Sequence, residues 1–397
     1  MRIRPARCSA STSGFHSESS SRTPTLSWSP APSRRTTTNW ERSGSREQGY
    51  ESQAGMNASR PIFGVNLNNR EPLLAPSYGL NELLDLSEAV EAAGFDSVWV
   101  GDSLFSKPRL EPLMLLAGIS QRTQRVRLGT ACLVTATRHP LYLALEWATL
   151  DQMSSGRTIL GACMGNPEEG VRREYAALGL DFKDRAAIFE EGLQILRQLW
   201  QQGEVTHHGQ TYDFEKVSFY SGTEMGPLRP VQTPPPIWVV SNPRLVVGKK
   251  QEQQVARVID RAARRIARYG DGWMTCCRAR HPEEFKDQRQ QILAAVEELG
   301  REPSRYVMSY QVTMNIADDR QRAQQGIGEY IGQYYPELSK AMDIGEWGPV
   351  GTPDDILEWI RTFAEAGVDY FICRFGALDQ FGQVERFARE VLPAFAG

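Results

Sequence analysis

The stretch Gly129–Pro140, GTACLVTATRHP, begins as an apolar strand and ends in Arg138, His139 and Pro140. An imidazole exchanges a proton near neutral pH. A guanidinium offers a fixed fork of donors to an anion. His139 is set apart by elimination among the five histidines. His16 lies in a Ser/Arg-rich leader, His207 and His208 in an insertion, and His281 just ahead of a helical pattern. His139 is either a proton donor at a strand end or the cap of the helix that Pro140 opens. Arg138 is either the partner of an anionic ring or substrate, or half of a surface ion pair.

Such groups need a rigid frame, and from Pro61 onward the pattern supplies one. Short apolar runs alternate with segments of helical period. Strands are predicted at Phe63–Leu67, Ser97–Gly101, Val126–Val134, Thr158–Met164, Ile237–Ser241, Gly272–Cys276, Val307–Asn315 and Tyr370–Arg374. Helices are predicted near Leu80–Ala93, Pro112–Thr123, Tyr142–Met153, Arg185–Gln201, Gln254–Tyr269, Pro282–Leu299, Asp319–Tyr334, Pro353–Ala366 and Gln380–Leu392. Thr352, Pro353 and Asp355 form a helix start, and Gly367 a stop. Near-continuous apolar strands separated by helices imply a parallel sheet covered on both faces. Eight units favour an α/β fold of the closed (β/α)8 TIM-barrel type over an open sheet. Gly203–Pro236 and Pro243–Gln253 are predicted insertions.

The bulk numbers exclude several classes. With 41% hydrophobic and 23% charged residues, the composition is that of a globular protein. No apolar run reaches the ~18–20 residues of a membrane span. The first 55 residues hold eight Arg, no Lys and four Glu, so +4, and the rest of the chain carries −7 of the total −3. An acidic body without a basic stripe argues against nucleic acid. Residues 1–55, rich in Ser, Thr, Arg and Pro, are expected to be disordered. They resemble a transit peptide, or are a translated leader ahead of a start at Met56. The domain is taken as 56–397. Six cysteines without C-x-x-C or zinc spacing point to reduced thiols in a cytoplasmic protein and to no metal site. Cys132, Cys163, Cys276 and Cys373 are expected to be small buried hydrophobes and not a thiol cluster.

Active sites of such barrels lie at the C-terminal strand ends. The residues expected there are Asn66, Asp102 and Ser103, Thr135 to His139, Gly165 and Asn166, Ser241 and Asn242, and Arg374. Asp102 also reads as a cap for the segment that follows. Arg374, in YFICRFG, must find a partner: a cofactor or substrate anion, or Asp102 or another internal carboxylate. Ser241 and Asn242, ahead of Pro243, are placed to open a helix whose free N–H groups hold phosphate. Lys249 and Lys250 either assist or are solvated loop charges. No P-loop or G-x-G-x-x-G occurs.

AGFDSVWVGD (93–102), the run from Glu111 to Asn166, HHGQTYDF (207–214), PPPIWVVSNP, RRIARYGDGWM (264–274) and VGTPDDILEWIRTFAEAGVDYF (350–371) appear in order. In this combination the chain resembles the bacterial luciferase-like monooxygenase superfamily over essentially all of residues 61–397. That superfamily includes FMN-dependent enzymes and relatives that use deazaflavin. The resemblance implies a flavin-type ring at the C-terminal mouth. It implies a bulge at Thr130, Ala131 and Cys132, with a non-proline cis peptide, against that ring. His139, Arg138 and Asp102, at the strand ends, are the candidate catalytic residues. Cofactor contacts fall to Asn66, Ser103, Thr130, Ala131, Cys132, Gly165, Asn166, Ser241 and Asn242. Many deazaflavin relatives carry Asp-His where this chain has Asp102-Ser103, a departure that speaks against chemistry relying on that histidine. The two glycines frequent in the family's phosphate loop are also absent.

The function implied is oxygenation of a small organic substrate by reduced FMN and O2, with the FMN supplied by a separate reductase. The alternatives are hydride transfer with a deazaflavin (coenzyme F-420) and a non-catalytic flavin-binding barrel. A homodimer is a further implication of the resemblance.

Overall fold

The structure is a computed structural model describing residues 60–70, 79–219, 228–247, 254–257, 260–276, 281–334 and 348–396. The leader 1–55, the start at Met56, Lys249 and Lys250 lie outside the described residues.

Eight parallel strands close into a barrel. They are β1 (Ile62–Leu67), β2 (Ser97–Val100), β3 (Arg127–Thr130), β4 (Thr158–Cys163), β5 (Ile237–Val240), β6 (Gly272–Thr275), β7 (Val307–Ile316) and β8 (Tyr370–Phe375). Closure is direct, with Ile62 registered on Tyr370 and Val65 on Cys373 between β1 and β8. The helices are α1 (Leu80–Ala92), α2 (Pro112–Arg122), α3 (Pro140–Met153), α4 (Glu169–Ala177), α5 (Arg185–Gln202), α6 (Asp260–Tyr269), α7 (Pro282–Glu298), α8 (Arg320–Tyr334), α9 (Pro353–Glu365) and α10 (Gln380–Glu390). The (β/α)8 TIM barrel expected from the alternating pattern is the fold of this chain.

Local signals act as their chemistry dictates. Thr352 and Asp355 form a reciprocal capping box at the start of α9. Inside the barrel, alternate residues pack into an inner cluster of Trp99, Ala131, Ile159, Trp238, Met274, Val307, Tyr370 and Ile372, with Ile62 and Val240 against it. Trp99 stacks on Trp238 with centroids 5.1 Å apart, and Tyr370 stands edge-on to both rings. This aromatic plug fills the barrel, so chemistry is confined to its rim. The outer strand faces pack on the helices in a second, larger core.

The insertion after α5 forms an antiparallel hairpin, Glu204–His208 with Asp213–Ser218. Glu191 of α5 holds its turn by accepting N–H groups of Gln210 at 2.9 Å and of Thr211 and Tyr212 at 3.0 Å. Burial opposes that carboxylate, and the backbone donors and His207 outweigh it, so its pKa lies below the usual range.

Two predicted spans are corrected, and one helix was missed. The helix expected over Gln254–Tyr269 begins only at Asp260, because Gln254–Arg257 pairs antiparallel with Arg244–Val247. Val246, Val247 and Val255 favour extended backbone. The third strand breaks, with Leu133–Val134 as a separate piece paired to β4. The short amphipathic helix α4 was not predicted. Among the described residues no helix is long and apolar enough to cross a membrane.

Candidate functional site

The break in β3 is a bulge. Gly129 registers on Ile159 and Leu133 on Ala162, so β3 carries one residue more than β4 between the two pairs. The Ala131–Cys132 peptide within it is cis. Thr130 bridges the gap: its Oγ1 donates to Gly161 O at 3.0 Å and accepts from Gly161 N at 3.1 Å. Gly161 must be glycine here, since a Cβ would overlap the Thr130 carbonyl.

The end of β2 holds the returning chain in place. Asp102 accepts Val134 N–H at 2.9 Å and two bonds from Arg138, at 2.6 and 3.0 Å. Its side chain is only 3% exposed. Arg138 also reaches Glu111 at 3.3 Å. Burial works against the Arg138 charge, and the two carboxylates more than offset it, so its pKa is raised. The partner of Arg138 is therefore Asp102, and Asp102 holds a strand end as well as facing the rim.

Ser103 serves the loop that follows. Its Oγ donates to Glu174 at 3.1 Å and accepts Lys107 N–H at 2.9 Å. Glu174, buried on α4, also accepts Phe105 and Ser106 N–H at 2.8 and 2.7 Å. Sequence reasoning missed Glu174. Its signal was a carboxylate on the apolar face of an unpredicted helix, next to Tyr175.

His139 is the cap of α3. Its Nδ1 accepts Leu141 N–H at 3.3 Å. Its ring stands near Tyr142 and, from the hairpin, Tyr212 and Phe214, at 5.7–6.1 Å. Desolvation lowers its pKa. Glu111, Leu113, Met114, Arg138, His139, Tyr142 and Glu146 line a groove of about 300 Å³ on this outer side of the rim. The structure thus shows the cap alternative, and a proton-transfer role for His139 is a separate proposal.

A polar tier lies directly above the aromatic plug. Counting by twos from Ile62, Ile159, Met274, Val307 and Ile372 along each strand reaches Asn66, Cys163, Cys276, Gln311 and Arg374 on the same inner face. With its amide oxygen turned to the donors, Asn66 accepts from Arg374 at 2.8 and 3.3 Å and from Gln311 at 2.5 Å. Its nitrogen then donates to Trp99 O at 3.2 Å. The Arg374 guanidinium meets the amide oxygen of Asn66. The Asn66 amide, held in turn by Gln311, orients the guanidinium. Gln311 was missed, although Ser309, Gln311 and Thr313 mark a polar inward face by strict alternation.

The cysteines contradict their expectation as buried hydrophobes. Among the described cysteines Cys373 is buried, Cys132 and Cys163 are half-buried and Cys276 is exposed. A hydrogen bond with Cys163, and then burial, hold the Cys132 thiol well above its usual pKa. Cys276 is gripped by Asn242, whose Oδ1 accepts its N–H at 2.9 Å and whose Nδ2 meets Sγ at 3.0 Å. Burial raises the Cys276 pKa against the opposing pull of Asn242 and Arg374.

The remaining candidates are placed as follows. Ser241 N donates to Met274 O at 3.1 Å, and its carbonyl accepts Trp273 Nε1 at 2.9 Å. Ser241 and Asn242 precede the extended pair, not a helix N-terminus, so the expected helix-end phosphate site is absent from this position. Gly165 takes φ +74°, which glycine permits. Asn166 is exposed and donates to Glu168 at 2.7 Å. Among the described residues no three His, Cys, Asp or Glu side chains are grouped to hold a metal ion.

Known proteins share this framework. A F420-dependent glucose-6-phosphate dehydrogenase of Nakamurella multipartita is 28% identical over 351 residues, covering 80% of this chain and 94% of that protein. Its namesake from Intrasporangium calvum is 26% identical, covering 81% and 97%. Among solved structures, monooxygenase RslO1 from Streptomyces bottropensis superposes with TM-score 0.67 at 23% identity, over 84% of this chain and all (100%) of that one. An F420-dependent secondary alcohol dehydrogenase, solved with an F420-acetone adduct, superposes with TM-score 0.68 at 19% identity, over 85% and 100%. The last two likenesses establish the fold. Residues 62–370 match the profile of the luciferase-like monooxygenase family. With that match spanning most of the chain and the bulged, closed barrel beneath it, this protein belongs to the luciferase-like monooxygenase family of oxidoreductases.

Proposed function

We propose that this protein is a deazaflavin-dependent oxidoreductase that moves a hydride between its cofactor and a small organic substrate. The observation that carries this reading is the likeness, over four-fifths of the chain, to dehydrogenases whose names specify F420. It reverses the order of preference drawn from sequence, where reduced FMN and O2 stood first.

The residues of the mouth fit a flat ring with polar edges. The bulge presents the small side chain of Ala131, and the inner tier offers Arg374 and Gln311 as donors from a floor already packed with aromatic rings. A deazaflavin, when bound, supplies two-electron exchange as hydride. Ala131, Cys132, Asn66 and Arg374 would hold the ring, with Arg374 facing its anionic edge or a substrate anion. Asp102 and Arg138 position the bulge. Ser103 is committed to Glu174 and the loop backbone, so it does not stand in for the histidine of the Asp-His pair. His139 would serve the rim as a hydrogen-bond donor through Nε2–H, since its Nδ1 accepts from Leu141.

Fluorescence titration of the full chain with coenzyme F-420 and with FMN tests this. Preferential deazaflavin binding is expected. Preferential FMN binding, with O2 uptake once reduced FMN is supplied by a reductase, would return the protein to the monooxygenase reading. Binding of neither would reject both and leave a barrel without a flavin-type cofactor.

A further inference from the structure

The hairpin inserted after α5 is built to present aromatic side chains. Its turn is closed by Gly209 N–H donating to Tyr212 O at 2.9 Å. His207 registers on Phe214 and Val205 on Val217, so the second strand carries one residue more than the first. The extra residue switches the phase of that strand: Tyr212 and Phe214 pack on the core before it, Val217 and Phe219 after it. A regular strand would turn one of these pairs to solvent. Both carboxylate oxygens of Glu191 on α5 hold the turn. Oε1 accepts Gln210 N–H, while Oε2 accepts the N–H groups of Thr211 and Tyr212 and meets His207 Nε2 at 3.3 Å. At Gly209 a Cβ would overlap that carboxylate. The turn is therefore tied to α5 at the residue that carries the Tyr212 ring.

Tyr212 and Phe214 stack with centroids 5.9 Å apart. The His139 imidazole stands edge-on to Tyr212 and tilted against Phe214, and Tyr142 of α3 stands edge-on to it from the other element. The charged groups around it are Arg138, Glu111 and Glu146 in the adjoining groove, with Glu191 and His207 behind the hairpin. Its Nδ1 accepts Leu141 N–H, which puts the proton of the neutral ring on Nε2. We propose that Glu191 and Tyr212 are positioning residues for His139: the carboxylate sets the hairpin turn, and the hairpin's ring pair holds the imidazole as an Nε2–H donor whose Nδ1 caps α3. A bare imidazole flips and meets water at either nitrogen; the ring pair blocks the flip and excludes that water. Burial of this kind also disfavours the charged form, the direction in which the His139 pKa is moved. What the Nε2–H group serves rests on the cofactor reading of the mouth; its mounting by the hairpin does not.

The test is NMR of the full chain labelled at the histidine ring nitrogens, with the His139 signals assigned by their loss in His139→Asn. His139 should be found as the Nε2–H tautomer, titrating below the ordinary histidine range. Tyr212→Ala should raise that titration toward the ordinary value and mix the two tautomers. Glu191→Gln, which keeps one of the two acceptor oxygens, should move both in the same direction. Tyr212→Phe keeps the ring and should leave both as they were. Circular dichroism and the thermal midpoint show which variants are folded; if Glu191→Gln is not, Tyr212→Ala decides. A hairpin that only stabilised the fold would lower the midpoint and leave the His139 signals in place, which overturns the proposal. Titration with coenzyme F-420 is the second readout. Tyr212→Ala should weaken binding severalfold on its own and not in combination with His139→Ala, because Tyr212 acts through His139. Equal effects in both backgrounds overturn that coupling. If the unaltered protein does not bind F-420, the cofactor reading fails while the histidine signals still decide the role of the hairpin.

Discussion

Arg138 holds Asp102 by two hydrogen bonds, at 2.6 and 3.0 Å, joining the end of β2 to the turn that leaves the broken third strand. Because Asp102 also receives Val134 N–H, one carboxylate fixes both where the bulge ends and where α3 begins. The pair is a positioning device for the mouth.

Asp102→Ala should therefore destabilise the protein. A fully buried pair broken on one side costs ~3–5 kcal/mol, and the Arg138 side chain keeps 22% of its exposure, so about 2–3 kcal/mol is expected. Urea unfolding measures it as a lower midpoint at unchanged slope. A loss below ~0.5 kcal/mol would place the pair with ordinary surface bridges.

His139 makes α3 sensitive to acid. Its pKa is lowered on folding, so the folded state binds fewer protons than the unfolded chain near the histidine range. Its contribution is present above the ordinary histidine value and is lost as pH falls through the lowered one. Protonation removes the Nδ1 acceptor and sets a positive charge at a helix N-terminus. His139→Asn keeps an acceptor, and should flatten the dependence of the melting temperature between neutral and mildly acid pH. His139→Ala should cost about 1 kcal/mol at neutral pH. If His139→Asn retains the full acid dependence, the effect belongs to another group.

Gly161 tolerates no side chain. Gly161→Ala drives a Cβ into the Thr130 carbonyl, and both are strand backbone that moves little. A loss of about 1–3 kcal/mol is expected, read as a lower thermal midpoint. A crystal structure of the variant should show the Thr130–Gly161 contact opened. An unshifted midpoint would show that the bulge is looser than this contact implies.

Arg374 and Asn66 are expected to act together in binding. Arg374→Gln removes the charge at the inner tier, and Asn66→Leu removes the amide that orients it. Each should weaken cofactor binding about tenfold or more, near 1.4 kcal/mol, while circular dichroism stays native. The double variant should lose less than the sum of the two, as coupled neighbours do. Strict additivity would mean that the two side chains contact the ligand independently.

Much of this was legible in the residues. Alternating apolar runs and amphipathic segments marked every barrel strand. Thr352-Pro353-Asp355 announced a helix start because capping depends on residues three apart. The bulge at Thr130–Cys132 was expected from the family resemblance, whereas the apolar pattern read as one strand over Val126–Val134. The segment Gln254–Arg257 was read as helix because a short run carries both periods, and only its pairing with Arg244–Val247 decides between them. The inner tier was partly legible: Asn66 and Arg374 were singled out, whereas Gln311 stood in the same period and was passed over.

Sequence alone determined which residues could face inward and roughly where most elements fall, because those depend on periods of two and 3.6 and on neighbours a few positions away. Tertiary structure decided who meets whom. Asn66 and Arg374 come together because β8 closes against β1, and Thr130 Oγ1 meets Gly161 because the third strand breaks in a bulge beside β4. His139 received its place from the packing of a hairpin more than seventy residues away, which sets its ring against Tyr212 and Phe214. Contacts of that kind follow from barrel closure and packing, whose outcome depends on all the strands at once and is carried by no local pattern.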